Sequence, residues 1–135
     1  MDEKANVTIY DPQVEHEQIW MDLQEVAPKY SLQQSEYPPL SHAHMALELN
    51  FLAVVQKQVQ IAQSAIDACH EAEAVVIATE WKDFIVLDWQ EVYDHMMKPA
   101  FVFDGRLLLD AAHLTKIGFK VTTIGRGVEI PAALA

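Results

Sequence analysis

Ala74-Val75-Val76-Ile77-Ala78-Thr79 and Ala100-Phe101-Val102-Phe103-Asp104 are the stretches that decide how this chain folds. Both are continuous apolar runs without polar alternation, the pattern of strands covered on both faces in a parallel sheet. Between them, Leu87 to Met97 carries apolar residues at the 3.6-residue rhythm of a helix, and Lys98-Pro99 stops it. Downstream, Asp110 to Ile117 reads as a helix ended by Gly118, and Phe119 to Ile124 as a last strand ahead of Gly125-Arg126-Gly127. Upstream, Gln58-Val59-Gln60-Ile61 alternates as a half-buried strand does. Ser64 then stands at the N-cap of a helix reaching Ala72, with Asp67 completing something close to a capping box. Asn6 to Tyr10 is rich in β-branched residues and reads as a buried strand ending at Asp11, because Asp11-Pro12 cannot continue a ladder. Gln13 to Asp22 predicts a turn and a short helix. Strands and helices alternate throughout, which predicts an α/β fold with an open parallel sheet.

The stretch from Val26 to about Val55 has a different character. Pro28, Pro38 and Pro39 sit among Ser, Gln, Tyr and His, so residues 26–44 are expected to be loop-like, mobile and cut first by protease. Met45 to Val55 is then apolar on nearly every helical face, either a buried helix or a greasy segment out of place.

At 135 residues with 51% apolar composition the chain has the size and core content of one globular unit. Its 20 acidic and 9 basic side chains give a net charge of -11, which opposes long-range attraction to nucleic acid or to anionic membranes. A phosphate ligand therefore needs local donors. The start Met1-Asp2-Glu3-Lys4 has no secretory pattern, no apolar run reaches membrane-spanning length, and a single cysteine excludes an internal disulfide. A soluble, cytoplasmic protein is the expectation.

In an open parallel sheet the ligand crevice lies at the carboxyl ends of the strands. These ends are Asp11-Pro12, Thr79-Glu80-Trp81 and Asp104-Gly105-Arg106. Only the last offers a permanent cation, just after a glycine that permits close backbone approach. Arg106 can donate a planar fork of hydrogen bonds to a phosphate or sugar oxygen, or it can pair with a neighbouring carboxylate. Asp104 is expected to hold the turn through side-chain to backbone bonds. Cys69 lies in an apolar helical stretch without an activating base and reads as a buried, inert thiol. The His42-x-His44 pair lacks a third ligand at metal-site spacing, and His70, His95 and His113 read as solvated helix residues. Trp81 is expected to pack. No Gly-x-Gly-x-x-Gly follows a strand and no phosphate-cradling Gly-Lys-Ser/Thr loop is present, so no metal, dinucleotide or catalytic site emerges.

In order and spacing, Ala74-Val75-Val76-Ile77-Ala78-Thr79-Glu80-Trp81, Lys98-Pro99-Ala100-Phe101-Val102-Phe103-Asp104-Gly105-Arg106, Ile117-Gly118-Phe119 and Ile124-Gly125-Arg126 resemble the C-terminal, UDP-binding domain of the UDP-glucose/GDP-mannose dehydrogenase family. Asn6 to Val14 resembles an earlier strand of that domain, and Glu17-Gln18-Ile19 with Asp22-Leu23 resembles the eukaryotic UDP-glucose 6-dehydrogenase branch. The resemblance covers positions 5 to 23 and 56 to 126. Residues 26 to 55 match nothing in it, which implies a lineage-specific insertion or retained non-coding sequence within a single partial domain over 1–135. Met1 falls inside what would be the helix before the Asn6 strand, which implies an internal start.

The resemblance implies a Rossmann-like sheet and a family reaction in which UDP-glucose is oxidised to UDP-glucuronate by two NAD. It carries one residue over as a substrate contact: Arg106, which matches the family's Phe-Asp-Gly-Arg turn. The family's dinucleotide fingerprint, catalytic cysteine, lysine and aspartate have no counterpart here, and Cys69 does not match that cysteine. The implied role is nucleotide-sugar binding by a fragment that binds no NAD and reduces none alone. A second possibility is an interaction module that docks on a full-length dehydrogenase or self-associates. In the family's strand order of 3-2-1-4-5-6, the strand missing from this chain is the central strand 1. Asn6 to Tyr10 then corresponds to strand 2 and Ala74 to Thr79 to strand 4. The expected outcome is a rearranged sheet, with these two strands side by side or residues 45–55 filling the slot, or else aggregation.

Overall fold

A computed structural model describes residues 5–34 and 53–124. The chain divides into two compact units, residues 1–63 and 64–135. In the first unit, β1 (Val7–Ile9) pairs in parallel with β2 (Val59–Ile61), with Thr8 opposite Gln60. The Ala62 amide donates to the Ile9 carbonyl at 2.9 Å and extends the ladder by one step. After β1, Asp11 accepts from the Gln13 amide at 2.9 Å and forms the turn into α1 (His16–Gln34). Ile19 is buried on that helix, and Val55 and Val59 are buried further along the chain.

Here the structure corrects three expectations. The helix after Asp11 is not short: its backbone runs on through Pro28 to Gln34, so residues 26–34 are not a loop. Proline removes one backbone donor, and the flanking Gln, Glu, Ala, Lys and Leu are residues of good helix propensity. Residues 35–44 lie outside the described residues. β1 is not a buried strand, since Val7 is 43% exposed. Residues 53–58 are helical, so this part of the apolar stretch does not fill a strand slot; residues 45–52 lie outside the described residues.

The second unit is a parallel sheet of β3 (Ala74–Ile77), β4 (Phe101–Asp104) and β5 (Lys120–Thr123), in that order. Ala74 faces Phe101 and Phe101 faces Lys120 in register. Helix α2 (Ala65–Cys69) precedes β3, a 3-10 turn (Lys82–Phe84) and α3 (Trp89–His95) link β3 to β4, and α4 (Ala111–Ile117) links β4 to β5. Each helix starts on the residue type that caps best. The Ser64 hydroxyl accepts from the Asp67 amide, Asp88 from Glu91 and Asp110 from His113. Gly118 ends α4 with φ +129, a conformation closed to L side chains, and a Cβ there would lie 2.6 Å from the Tyr93 hydroxyl.

Strand alternation places Val75, Ile77, Val102 and Asp104 on one face, where Val102 and Asp104 are fully buried and Ile77 is 5% exposed. Val92, Trp89 and Met96 from around α3, and Leu114 and Phe119 from around α4, are buried in the same unit. Phe119 meets Trp89 and Tyr93 edge-on at 5.9 and 5.0 Å, and the Trp89 indole N–H donates to the Phe84 carbonyl. The opposite face carries Ala74, Val76, Phe101 and Phe103. Val76 is 68% exposed there and Phe103 41%. The continuous apolar runs thus do not mark strands covered on both sides.

The fold is α/β, with open parallel sheets flanked by helices, as the alternation predicts. β1 takes β2 as its neighbour and β3 takes β4, so the expected pairing of the Asn6 and Ala74 strands is not what the described strands adopt. In each case the apolar ladder with the next strand in sequence is kept.

Candidate functional site

The site-forming turn follows β4. Asp104 is fully buried, and its carboxylate accepts from the Arg106 amide at 3.0 Å and the Leu109 amide at 2.8 Å. The two bonds pin residues 104–109 to the end of the sheet, the structural role its sequence position predicts. Gly105 donates to the Ile77 carbonyl at 3.1 Å, and a Cβ on Gly105 would approach that oxygen to 3.1 Å, so the turn sits closely against β3. Leu107 has φ +56, an unusual conformation for a leucine, held by the bonds on either side of it.

This anchoring projects Arg106 from the carboxyl end of the sheet. Its Nη2 lies 2.8 Å from Glu80 Oε1, and the two side chains are 47% and 63% exposed. Of the two alternatives for Arg106, pairing with a neighbouring carboxylate is therefore what the structure contains. Glu80 is a site residue the sequence reading did not assign a role. The signal was available: parallel register sets Ile77 opposite Asp104, so the residues just past each strand end, Glu80 and Arg106, come together. An exposed pair of this kind is worth about 0–1 kcal/mol and gives way readily to a better anion. The guanidinium carries further N–H donors in one plane, matched to the oxygens of a phosphate.

The remaining candidates fall out of chemistry. Cys69 is 6% exposed, and burial pushes its thiol up to about 11, so it is protonated and unreactive at neutral pH. His70, His95 and His113 are exposed; His95 shares a hydrogen bond with the Glu91 carbonyl. Trp81 is half-buried beside the 3-10 turn. Among the described residues no group of three or more His, Cys, Asp or Glu is placed to hold a metal, and no helix is long and apolar enough to cross a membrane. His42 and His44 lie outside the described residues. In the first unit, a shallow groove of about 300 Å³ at the end of β1 is lined by Ile9, Val14, Ile19 and Leu23 with Asp11 and Asp22. Its polar lining is two carboxylates, which suits an anion poorly.

The ends of β1, β3 and β4 lack the glycine pattern of the dinucleotide fingerprint. β1 runs into Tyr10-Asp11-Pro12 and β3 into Ala78-Thr79-Glu80, without glycine, while Gly105 after β4 is followed by Arg106 and Leu107 rather than a second glycine. None of these three carries the Gly-x-Gly-x-x-Gly turn into a helix that marks the dinucleotide fingerprint.

Comparison with known proteins bears on the same turn. The sequence profile of the UDP-glucose/GDP-mannose dehydrogenase family, UDP binding domain, matches residues 1–111. UDP-glucose 6-dehydrogenase 4 of Oryza sativa subsp. japonica is 39% identical over 127 residues, covering 94% of this chain and 24% of the relative. UDP-glucose 6-dehydrogenase of Pongo abelii is 40% identical over 131 residues, covering 96% of this chain and 22% of the relative. The chain thus spans about a quarter of the length of the curated relatives it matches.

Proposed function

This chain belongs to the UDP-glucose/GDP-mannose dehydrogenase family, and on that premise we propose that it supplies part of a nucleotide-sugar site, with Arg106 contacting the ligand. The observation that carries this reading is the anchored turn: a fully buried Asp104 fixes the backbone from which an exposed guanidinium projects. A net charge of -11 repels a UDP-sugar at long range, so binding rests on local donors. Arg106 fills that role by exchanging the Glu80 carboxylate for a diphosphate or sugar oxygen. The trade is favourable because a diphosphate offers more acceptor oxygens and more charge than one carboxylate.

The reaction of the family-length enzymes, oxidation of UDP-glucose with NAD, is the setting in which this site would act. The contribution proposed for this chain is holding and orienting the nucleotide sugar. UDP-glucose or UDP-glucuronate is the ligand class, and no proton or hydride transfer is assigned to any residue of this chain.

The test is a nuclear magnetic resonance titration of the chain with UDP-glucose. Binding should shift the amides of residues 104–109 and of Glu80. Arg106→Ala should weaken that binding by roughly one to two orders of magnitude, as expected for losing hydrogen bonds to a charged group. Shifts that persist unchanged in the variant would assign Arg106 to structure alone.

A further inference from the structure

His70 is the C-cap of α2 and His95 is the last residue of α3. Taken singly, each is a solvated residue at a helix end. The fold sets their rings side by side, with centroids 5.7 Å apart and planes tilted by 43°. The contact is built into the backbone. Glu71 takes φ +56, a left-handed turn that swings the chain out of α2. Its amide donates to the His95 carbonyl at 2.9 Å, and the Met97 amide donates to the Ala72 carbonyl at 3.0 Å. The segments that carry the two rings cannot drift apart without breaking these bonds. Both side chains are exposed, so an ion reaches them. All of these residues belong to the second unit.

The hydrogen bonding of His95 also fixes which ring nitrogen is available. Its Nδ1 lies 2.8 Å from the Glu91 carbonyl oxygen, which can only accept, so Nδ1 carries a proton and the neutral ring keeps its lone pair on Nε2. Metal-binding imidazoles are held in this way, with one ring nitrogen donating to a carbonyl and the other facing the ion. Two imidazoles that share one tetrahedral ion at about 2 Å per bond have ring centres about 5 Å apart. The spacing of His70 and His95 therefore closes on such an ion with a small side-chain rotation.

We propose that His70 and His95 form a two-histidine site for a late first-row divalent cation, zinc(II) or copper(II), which staples the end of α2 to the end of α3. Ligand chemistry selects the ion. Imidazole nitrogen suits zinc and copper, whereas magnesium and calcium take oxygen ligands. A net charge of -11 draws cations toward the surface. Among the described residues no third His, Cys, Asp or Glu completes a metal-holding group with the pair, so water fills the remaining positions and the site is open. His70 and His95 precede β3 and β4, while Arg106 follows β4, so the site stands apart from the nucleotide-sugar reading.

A zinc titration of the full chain, followed by nuclear magnetic resonance at the imidazole rings, tests this. Zinc should shift the His70 and His95 ring signals together with one affinity, and His95 should bind through Nε2 while Nδ1 keeps its proton. His70→Asn should weaken the zinc-dependent shift at His95 by about tenfold or more, at least what loss of an outer-shell partner costs a metal site. His113→Asn, on α4, should leave that shift unchanged, and magnesium should move neither ring. Asn is polar and suits an exposed helix end, so circular dichroism of both variants should match that of the parent. Zinc shifts confined to other histidines, no ring shift at millimolar zinc, or a His95 shift of unchanged affinity in folded His70→Asn would overturn the proposal and leave the pair as a plain ring contact.

Discussion

The two units use the same parallel pairing and build unequal structures from it. β1 and β2 are three residues each and carry exposed Val7 and Gln60 on their ladder. β3, β4 and β5 are four residues each and converge on a core in which Val102, Val92 and Leu114 are almost wholly excluded from water. The helices differ in the opposite sense. α1 has nineteen residues, yet only Ile19 is buried in its described part, whereas α3 has seven residues and buries two of them. The short, capped α3 buries two of its seven side chains, while the described part of α1, residues 16–25, buries one. The turn that projects Arg106 follows β4, whose Val102 and Asp104 are fully buried.

The comparison breaks most readily at Phe119. This residue is 2% exposed and its ring packs edge-on against both Trp89 and Tyr93. Phe119→Ala should cost about 3–5 kcal/mol in urea unfolding, the range for removing a buried aromatic ring. Native-state hydrogen exchange should show β4 amides exchanging more slowly than β1 amides in the parent chain, and the variant should erase that difference. If β1 is protected as long as β4 in the parent, the units are equally stable and the contrast is lost.

A smaller effect is expected at the turn itself. Asp104→Ala removes the acceptor for two amides at once and leaves both without their partner. The loss should be about 1–3 kcal/mol, below that at Phe119, because part of each amide's bonding is recovered from water. The sharper readout is local. The Arg106 and Leu109 amides should lose protection while those of Val102 keep theirs, and UDP-glucose shifts at the turn should vanish. Unaltered exchange at Arg106 would mean that the turn does not depend on the carboxylate.

What could be read from the sequence is what local chemistry decides. Ser64, Asp110 and Gly118 act at their helix ends as their types predict, because a cap needs only the residues of one turn. The parallel sheet follows from alternating elements, and Asp104 as a turn anchor from an acid placed two residues before Arg106. Coverage is not local. The run Ala74 to Ile77 is equally apolar whether one face or both are buried, and the exposure of Val76 depends on which elements lie over it. Proline at 28 misleads for a similar reason: a single breaker sets a bias, and the residues around it decide whether a helix stops. Glu80 went unassigned because its partner is set by register between two strands rather than by neighbours in sequence.

The smallest expected effect concerns the Glu80–Arg106 pair, and it separates stability from binding. Both side chains are substantially exposed, so water and salt screen their attraction and Glu80→Gln should change unfolding free energy by no more than about 1 kcal/mol. Its effect on ligand has the opposite sign from that of Arg106→Ala. The carboxylate competes with a phosphate for the same guanidinium and also repels it, so removing the charge should tighten UDP-glucose binding by a few-fold, on the order of what one exposed ion pair is worth. The gain should shrink as salt is raised, since the competition it removes is electrostatic. Weaker binding in Glu80→Gln would mean that Glu80 orients Arg106 for the ligand instead of competing with it. Arg106 would then act as half of a built pair, and the anchored turn alone would not account for the site.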